Sequence, residues 1–246
     1  MTHAAIIQNL FDLSGGVACV TGAIAGLGRR ATIALACAGA IVVGVARRRD
    51  ALLALKQMIG EVFSVVDHDV VNRDLLEDFS HKVARPYEAR DIIVHAASIN
   101  TRQSVNDVTS QAWDMELDLT QRTLFFYRNA PCLQCGKRAG VGLSISHLYK
   151  VFALFRVGLA YGVSKGGVAQ MTRAIAEAWS ADGINANAIS LGFFRTELTA
   201  PVFADPERAA RNAEQTCIGR NGEPEDIDGT VLFLASNASA HVTGKS

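Results

Sequence analysis

The chain has no charge bias, no apolar run of membrane length and no paired set of cysteines, and each absence removes a class of function. Its 24 Lys and Arg balance 24 Asp and Glu, so nothing pulls it generally toward nucleic acid or an anionic membrane surface. No apolar stretch reaches the roughly 18 residues of a membrane span. The opening MTHAAIIQNLFDLSGG has neither the basic start nor the long apolar core of a signal peptide. A cytoplasmic protein with no nucleic-acid and no membrane partner is expected. The five cysteines, Cys19, Cys37, Cys132, Cys135 and Cys217, are an odd number. With Cys19 and Cys37 in segments expected to be buried, they read as reduced thiols. Cys132 and Cys135 have the spacing of half a zinc site, but no second pair follows, and no metal is expected. His68 and His241 read as turn or surface residues. No repeat, linker or low-complexity segment interrupts the sequence, so residues 1–246 are expected to form one domain.

What is present is apolar and alternating. A hydrophobic fraction of 49% suits a parallel sheet covered on both faces, whose strands read as continuous apolar runs. The run Val17-Ala18-Cys19-Val20 ends at Thr21, three glycines follow as Gly22-x3-Gly26-x-Gly28, and an alanine-rich helical segment comes next. A second strand, Ala40 to Val45, completes a βαβ unit. Glycines without Cβ let a diphosphate approach the backbone, and the helix start supplies free N–H groups and a positive dipole end. Further along, Asp50 to Met58 reads as a helix and Val62 to Val66 as a strand. Arg73 to Val83 has amphipathic helical spacing and Asp91 to His95 is strand-like. A long helix from Gln111 to Asn129, carrying Trp113, Leu117, Leu124 and Tyr127, is expected to end or kink at Pro131. Strands at Val141–Ile145 and Ile184–Ile189 flank a helix from Gly158 to Trp179 that Asp182-Gly183 stops. A last helix runs from Glu225 to Ala235. Ser190 to Asp205 lacks periodicity and reads as a mobile loop or lid. The alternation predicts an α/β fold, a single-domain Rossmann-type doubly wound parallel sheet with helices on both faces, and ligands beyond the carboxyl ends of its strands.

Tyr161-Gly162-Val163-Ser164-Lys165 carries the chemistry. Positions i and i+4 share a helix face, so phenol and ammonium can enter one pocket. A free tyrosine has a pKa near 10, and a neighbouring cation favours the phenolate, which is expected to bring Tyr161 toward a useful range. At the end of the second strand Ala46 stands where an acidic residue would accept from the 2′-hydroxyl of NAD, and Arg47-Arg48-Arg49 follow. This favours the 2′-phosphate of NADP(H), with NAD(H) the alternative if the arginines merely start a solvated helix.

Together these features resemble the short-chain dehydrogenase/reductase family over nearly the whole chain. The resemblance includes Thr21-Gly22-x3-Gly26-x-Gly28, Asp69-Val70, Ala96-Ala97, Tyr161-x3-Lys165, Asn185-x-Asn187-Ala188-Ile189 with Gly192 and Thr196, and Gly222-x-Pro224-x-Asp226. It implies a hydride exchanged between a nicotinamide and a carbonyl or secondary alcohol. It makes Tyr161 the general acid/base, Lys165 the ribose ligand that lowers its pKa, and Thr196 the carboxamide ligand. Gly22, Gly26 and Gly28 would hold the pyrophosphate, and Thr21, Ala25, Leu27, Asp69, Val70, Ala96, Ala97 and Gly192 would join Arg47, Tyr161, Lys165 and Thr196 in binding the cofactor. It also implies a dimer or tetramer. Ile99-Asn100-Thr101-Arg102 and Gly219-Arg220 resemble the sugar-acid and polyol branch related to gluconate 5-dehydrogenase, with Arg102 or Arg195 a candidate clamp for a substrate carboxylate.

The departures also have consequences. The family's serine some thirteen residues before the tyrosine falls on Leu148, or on His147 when the strand is aligned, with Ser146 beside it. Its Asn-Asn-Ala-Gly reads His95-Ala96-Ala97-Ser98, its relay asparagine appears as Asp118, and the usual glycine-rich ending beyond Thr243-Gly244 is missing. Losing one oxyanion donor costs on the order of 10²–10³ in rate. The alternative function is therefore an impaired dinucleotide-binding protein with a structural or regulatory role.

Overall fold

A computed structural model describes residues 3–71, 91–122, 141–146 and 158–246, the side chains of 3–5 and 141–146 excepted. Among these residues six parallel strands form one sheet: β1 (Val17–Thr21), β2 (Ile41–Ala46), β3 (Phe63–Asp67), β4 (Ile92–His95), β5 (Val141–Ser146) and β6 (Asn185–Ser190). Their order is β3-β2-β1-β4-β5-β6, so the winding reverses between β1 and β4. That is where such a sheet opens a crevice for a ligand.

Alternate strand residues point to opposite faces, and both faces are covered. Ala18, Val20 and Val42 join one core with Ala31 and Leu35 of α2 (Gly26–Cys37), the other side of which is closed by Val231 and Leu234 near the C-terminus. Cys19, Val43, Val45 and Val66 form the core of the opposite face. Burying each such valine or leucine contributes about 1.5–3 kcal/mol. Gly44 is required by the packing, because a Cβ there would stand 2.2 Å from the Phe63 ring.

The remaining helices are α1 (His3–Phe11), α3 (Arg49–Ile59), α4 (Ser110–Leu117), α5 (Leu159–Trp179), α6 (Ala200–Phe203), α7 (Pro206–Glu214) and α8 (Asp228–Ala235). The Thr109 hydroxyl caps α4 by accepting from Ala112 N–H at 3.2 Å, and the helix widens into a π turn over Asp118–Arg122. Tyr161, Ser164, Lys165, Val168 and Thr172 give α5 a buried stripe at helical spacing. Beyond it, Gly183 takes φ 81°, which ends the segment as expected. At the far edge of the sheet, Gly244 N–H donates to Ala186 O and Ala188 N–H to Lys245 O, both at 2.7 Å, so the last residues run alongside β6.

Four expectations change. Ser190–Asp205 holds short regular turns where the sequence showed no periodicity: Thr196 caps a 3-10 turn over Glu197–Thr199, and Pro201 sits in the first turn of α6. Helix α7, which starts where Asp205 accepts from Arg208 N–H at 3.0 Å, and α1 were not anticipated. Cys37 is exposed, because the last turn of α2 faces it outward, while Cys19 is buried. His68 is buried on the cavity wall, and its backbone N–H donates to Ala46 O at 3.0 Å, extending the β2–β3 pairing by one residue. The expected helix Arg73–Val83, the end of the one from Gln111, Pro131, Cys132 and Cys135 lie outside the described residues. Among the described residues no helix is long and apolar enough to cross a membrane.

Candidate active site

After β1 the chain turns through Gly22 at φ 70° to Gly26 at φ 49°, where α2 begins. The turn is packed against the end of β4: a Cβ on Gly22 would lie 2.9 Å from Ala97 N, and one on Gly28 2.3 Å from Gly22 O. Ala25 offers no side-chain cap to α2. Instead Gly26 N–H donates to Glu197 Oε2 at 2.8 Å, so a carboxylate stands where the helix start attracts an anion.

This turn forms one wall of a cavity of about 500 Å³ at the carboxyl ends of the strands. Of the expected cofactor residues, Gly22, Ala25, Gly26, Leu27, Gly28, Arg47, Asp69, Val70, Ala96, Ala97 and Thr196 line it, joined by His68, Arg48 and Ser98. Thr21 and Gly192 are not on that wall. Thr21 is fully buried beneath it, with its hydroxyl 3.0 Å from His95 Nδ1 and accepting from Ala97 N–H at 3.3 Å. It therefore ties β1 to β4. Gly192 is not a close-contact position, as a Cβ there would meet nothing within 4 Å. The three arginines separate: Arg47 and Arg48 line the cavity, whereas Arg49 Nη1 is paired with Asp67 Oδ1 at 3.0 Å. A Cβ-free cradle, a helix start that binds a carboxylate, and two guanidinium groups beyond Ala46 fit a dinucleotide with a 2′-phosphate.

Tyr161 and Lys165 lie behind the wall, each 2% exposed, with Lys165 Nζ 5.2 Å from the centre of the Tyr161 ring. Burial dominates both groups. It pushes the phenol well above its ordinary value, against a smaller opposing effect from Ser98 and with a further rise from the Glu116 carboxylate. It lowers the ammonium to about 8, while Glu116 works the other way. Contrary to the expected depression, the Tyr161 phenol here lies above its ordinary value, because burial disfavours the phenolate. Ser98 links the pair to the cavity. It lies on the cavity wall, and its buried hydroxyl faces the Tyr161 phenol.

His95 supports the same region from below. Its Nε2 lies 3.2 Å from Leu119 O, and burial, reinforced by Lys165, lowers its pKa to about 4. A carbonyl only accepts, so the neutral ring donates from Nε2 and receives the Thr21 hydroxyl at Nδ1. From the following helical segment the charge of Glu116 acts on both members of the pair. Asp118 lies in the π turn and half-exposed, whereas Ala112, Glu116 and Thr120 form the buried stripe at four-residue spacing. A carboxylate in such a stripe was the available signal for Glu116, obscured by the larger Trp113 and Leu117 alongside.

Of the serine substitutes, Ser146 ends β5 with only its backbone described, and His147 and Leu148 lie outside the described residues. Neither candidate clamp is unengaged. Arg195 Nε pairs with Glu223 at 3.0 Å and its guanidinium stacks 4.6 Å from the Phe203 ring centre. Arg102, the one non-glycine residue at positive φ among those described, donates from Nη2 to the Leu198 carbonyl. It thereby ties the segment after β4 to the 3-10 turn that carries Glu197.

Comparison with known proteins agrees with this geometry. A family profile described as enoyl-(acyl carrier protein) reductase matches residues 22–246. A 2-dehydro-3-deoxy-D-gluconate 5-dehydrogenase of Bacillus subtilis is 32% identical over 97% of this chain and 94% of its own. A gluconate 5-dehydrogenase of Gluconobacter oxydans is 31% identical over 96% and 94%. The crystal structure of a gluconate 5-dehydrogenase from Burkholderia cenocepacia, in complex with NADP and tartrate, superposes with a TM-score of 0.90 at 25% identity, covering 97% of this chain and 95% of that one. These relatives carry dehydrogenase names, which favours the oxidoreductase reading over the impaired alternative. With the profile spanning most of its length and the sheet, glycine turn and Tyr161–Lys165 pair in place, the chain belongs to the short-chain dehydrogenase/reductase family.

Proposed function

We propose that this chain is a cytoplasmic, single-domain NADP(H)-preferring oxidoreductase that interconverts a carbonyl and a secondary alcohol, with a sugar acid or polyol as substrate, and works as a homodimer or homotetramer. The observation that carries it is the continuity of one cavity, from the glycine turn and Arg47 at one end to Ser98 beside the Tyr161 phenol at the other. When bound, the nicotinamide supplies or accepts the hydride. In reduction the Tyr161 phenol gives its proton to the carbonyl oxygen, and the Lys165 ammonium near its ring stabilises the phenolate that remains. In oxidation the phenolate takes the hydroxyl proton. The glycine turn and Thr196 hold the cofactor, and the sugar-acid preference is supported by the names of the relatives.

The cofactor assignment is tested at Arg47. Arg47→Ala is expected to weaken NADPH binding about 10-fold or more while leaving NADH binding nearly unchanged, since a guanidinium–phosphate bond is lost only with the former. Fluorescence titration with both nucleotides reads the difference, and an equal loss for each refutes a 2′-phosphate contact.

Glu197 occupies the helix start that a diphosphate would use, and its charge repels the incoming phosphates. Glu197→Gln is expected to tighten NADPH about two- to fivefold by removing that competitor. Weaker binding in the same titration would instead make Glu197 a support of the bound cofactor. Substrate class is read by comparing NADPH-dependent reduction of 5-keto sugar acids with neutral ketones of similar size. No preference for the acids defeats that part of the proposal.

A further inference from the structure

Helix α5 carries two successive glycines, Gly166 and Gly167, directly after Lys165, although a glycine inside a helix costs about 0.5–1 kcal/mol relative to alanine. Their surroundings differ. A Cβ on Gly166 would meet nothing within 4 Å among the described residues, whereas one on Gly167 would stand 1.8 Å from Nε2 and 2.6 Å from Cδ of Gln121. The missing methyl leaves a notch, and the Gln121 amide fills it. From there Nε2 donates to the Ser164 carbonyl at 3.3 Å, while the Ser164 hydroxyl donates to the Tyr161 carbonyl at 2.8 Å. The amide therefore lies on the turn that runs from Tyr161 to Lys165. Gln121 belongs to the π turn Asp118–Arg122, a rare conformation that recurs at functional sites. Through it Thr120, which continues the buried stripe of Ala112 and Glu116, is followed at once by a side chain that reaches α5.

We infer that Gln121, seated in the Gly167 notch, is a positioning residue that fixes the rotation of α5 about its axis and with it the placement of Tyr161 and Lys165. The inference rests on the proton-transfer role proposed above for that pair. Elsewhere α5 packs through apolar side chains, such as Val168 and Ala169 against Ala188 of β6. Contacts of that kind are non-directional and let a helix turn slightly with little loss. A hydrogen bond to one carbonyl is directional and selects one orientation. The orientation matters because a misplacement of about 1 Å can cost on the order of 10² in rate. Gln121 does not line the cofactor cavity, so its effect passes through Ser164 to the pair and not to the nucleotide.

Gln121→Met keeps the length of the side chain and removes the donor, and Gly167→Ala puts a methyl where the amide sits and expels it. Each is expected to lower kcat for NADPH-dependent ketone reduction on the order of 10-fold, with the NADPH dissociation constant nearly unchanged because the glycine turn is untouched. Both changes break the same contact, so the double variant is expected to be no slower than the slower single one. Fluorine NMR of protein labelled with fluorotyrosine gives a readout without cofactor or substrate. The Tyr161 resonance, identified by its loss in Tyr161→Phe, is expected to move in both single variants. Where Gly167→Ala does not fold, Gln121→Glu, equal in length and unable to donate to a carbonyl when ionised, carries the same expected changes in rate and resonance. Rate losses that multiply in the double variant, a loss of NADPH binding as large as the loss of kcat, or an unmoved Tyr161 resonance in folded variants overturns the inference. If Tyr161→Phe retained turnover, the proposed role of the pair would fail instead, while the resonance would still report whether Gln121 orients the helix.

Discussion

Tyr161→Phe is expected to lower kcat for ketone reduction by on the order of 10²–10⁴, the usual contribution of a positioned proton donor, with the NADPH dissociation constant nearly unchanged. The split follows from where the residue sits. Its ring is buried in the stripe of α5 and near Lys165, and phenylalanine keeps that ring, so the helix and the cofactor wall have no reason to move. What disappears is the hydroxyl, the group that Ser98, Glu116 and burial act upon. Single-turnover absorbance at 340 nm against a parallel binding titration separates the two quantities. A variant that turned over normally but with a raised KM would mean that the phenol shapes the substrate pocket and moves no proton.

The second large effect is expected at Gly28. A Cβ there would lie 2.3 Å from Gly22 O and 3.0 Å from Ala96 Cβ, closer to the carbonyl than any real contact. Gly28→Ala must therefore open the turn or slide α2 along it. Overpacking of this kind costs about 1–3 kcal/mol, a fall in Tm of several degrees for a domain of this length. It also displaces the N–H groups at the start of α2, so NADPH binding is expected to weaken more than 10-fold. Thermal unfolding with and without NADPH checks both effects, since a ligand that binds only the folded state raises Tm. Gly229→Ala is the control: a Cβ there meets nothing within 4 Å, and stability and the NADPH-induced rise should both persist. Normal NADPH stabilisation of the Gly28 variant would remove the turn from the cofactor site.

Much of the fold was legible because its signals are local. A parallel strand buried on both faces is an apolar run, and β1, β2 and β4 announce themselves in that way. A glycine turn and a Tyr-x3-Lys spacing are likewise written in adjacent residues. The pKa of Tyr161 was not legible, because spacing reports that a cation is near and not that the phenolate would be desolvated. Glu116 was missed for a related reason: its partner Thr101 lies fifteen residues earlier, so no local pattern shows that a carboxylate on α4 is held in the interior. Residues 190–205 fold into a 3-10 turn and a single helical turn, both shorter than the period that reveals a helix. Cys37 and His68 each depended on which way one residue at the end of an element faced.

The most direct measurement follows the hydride itself. NADPH deuterated at C4 of its nicotinamide would be mixed with the protein and a panel of keto sugar acids and neutral ketones, and each product examined by mass spectrometry and NMR. The expected result is deuterium on the new carbinol carbon of the sugar-acid products, lost with Tyr161→Phe while NADPH still binds. Tight NADPH binding with no label transferred to any ketone would contradict it.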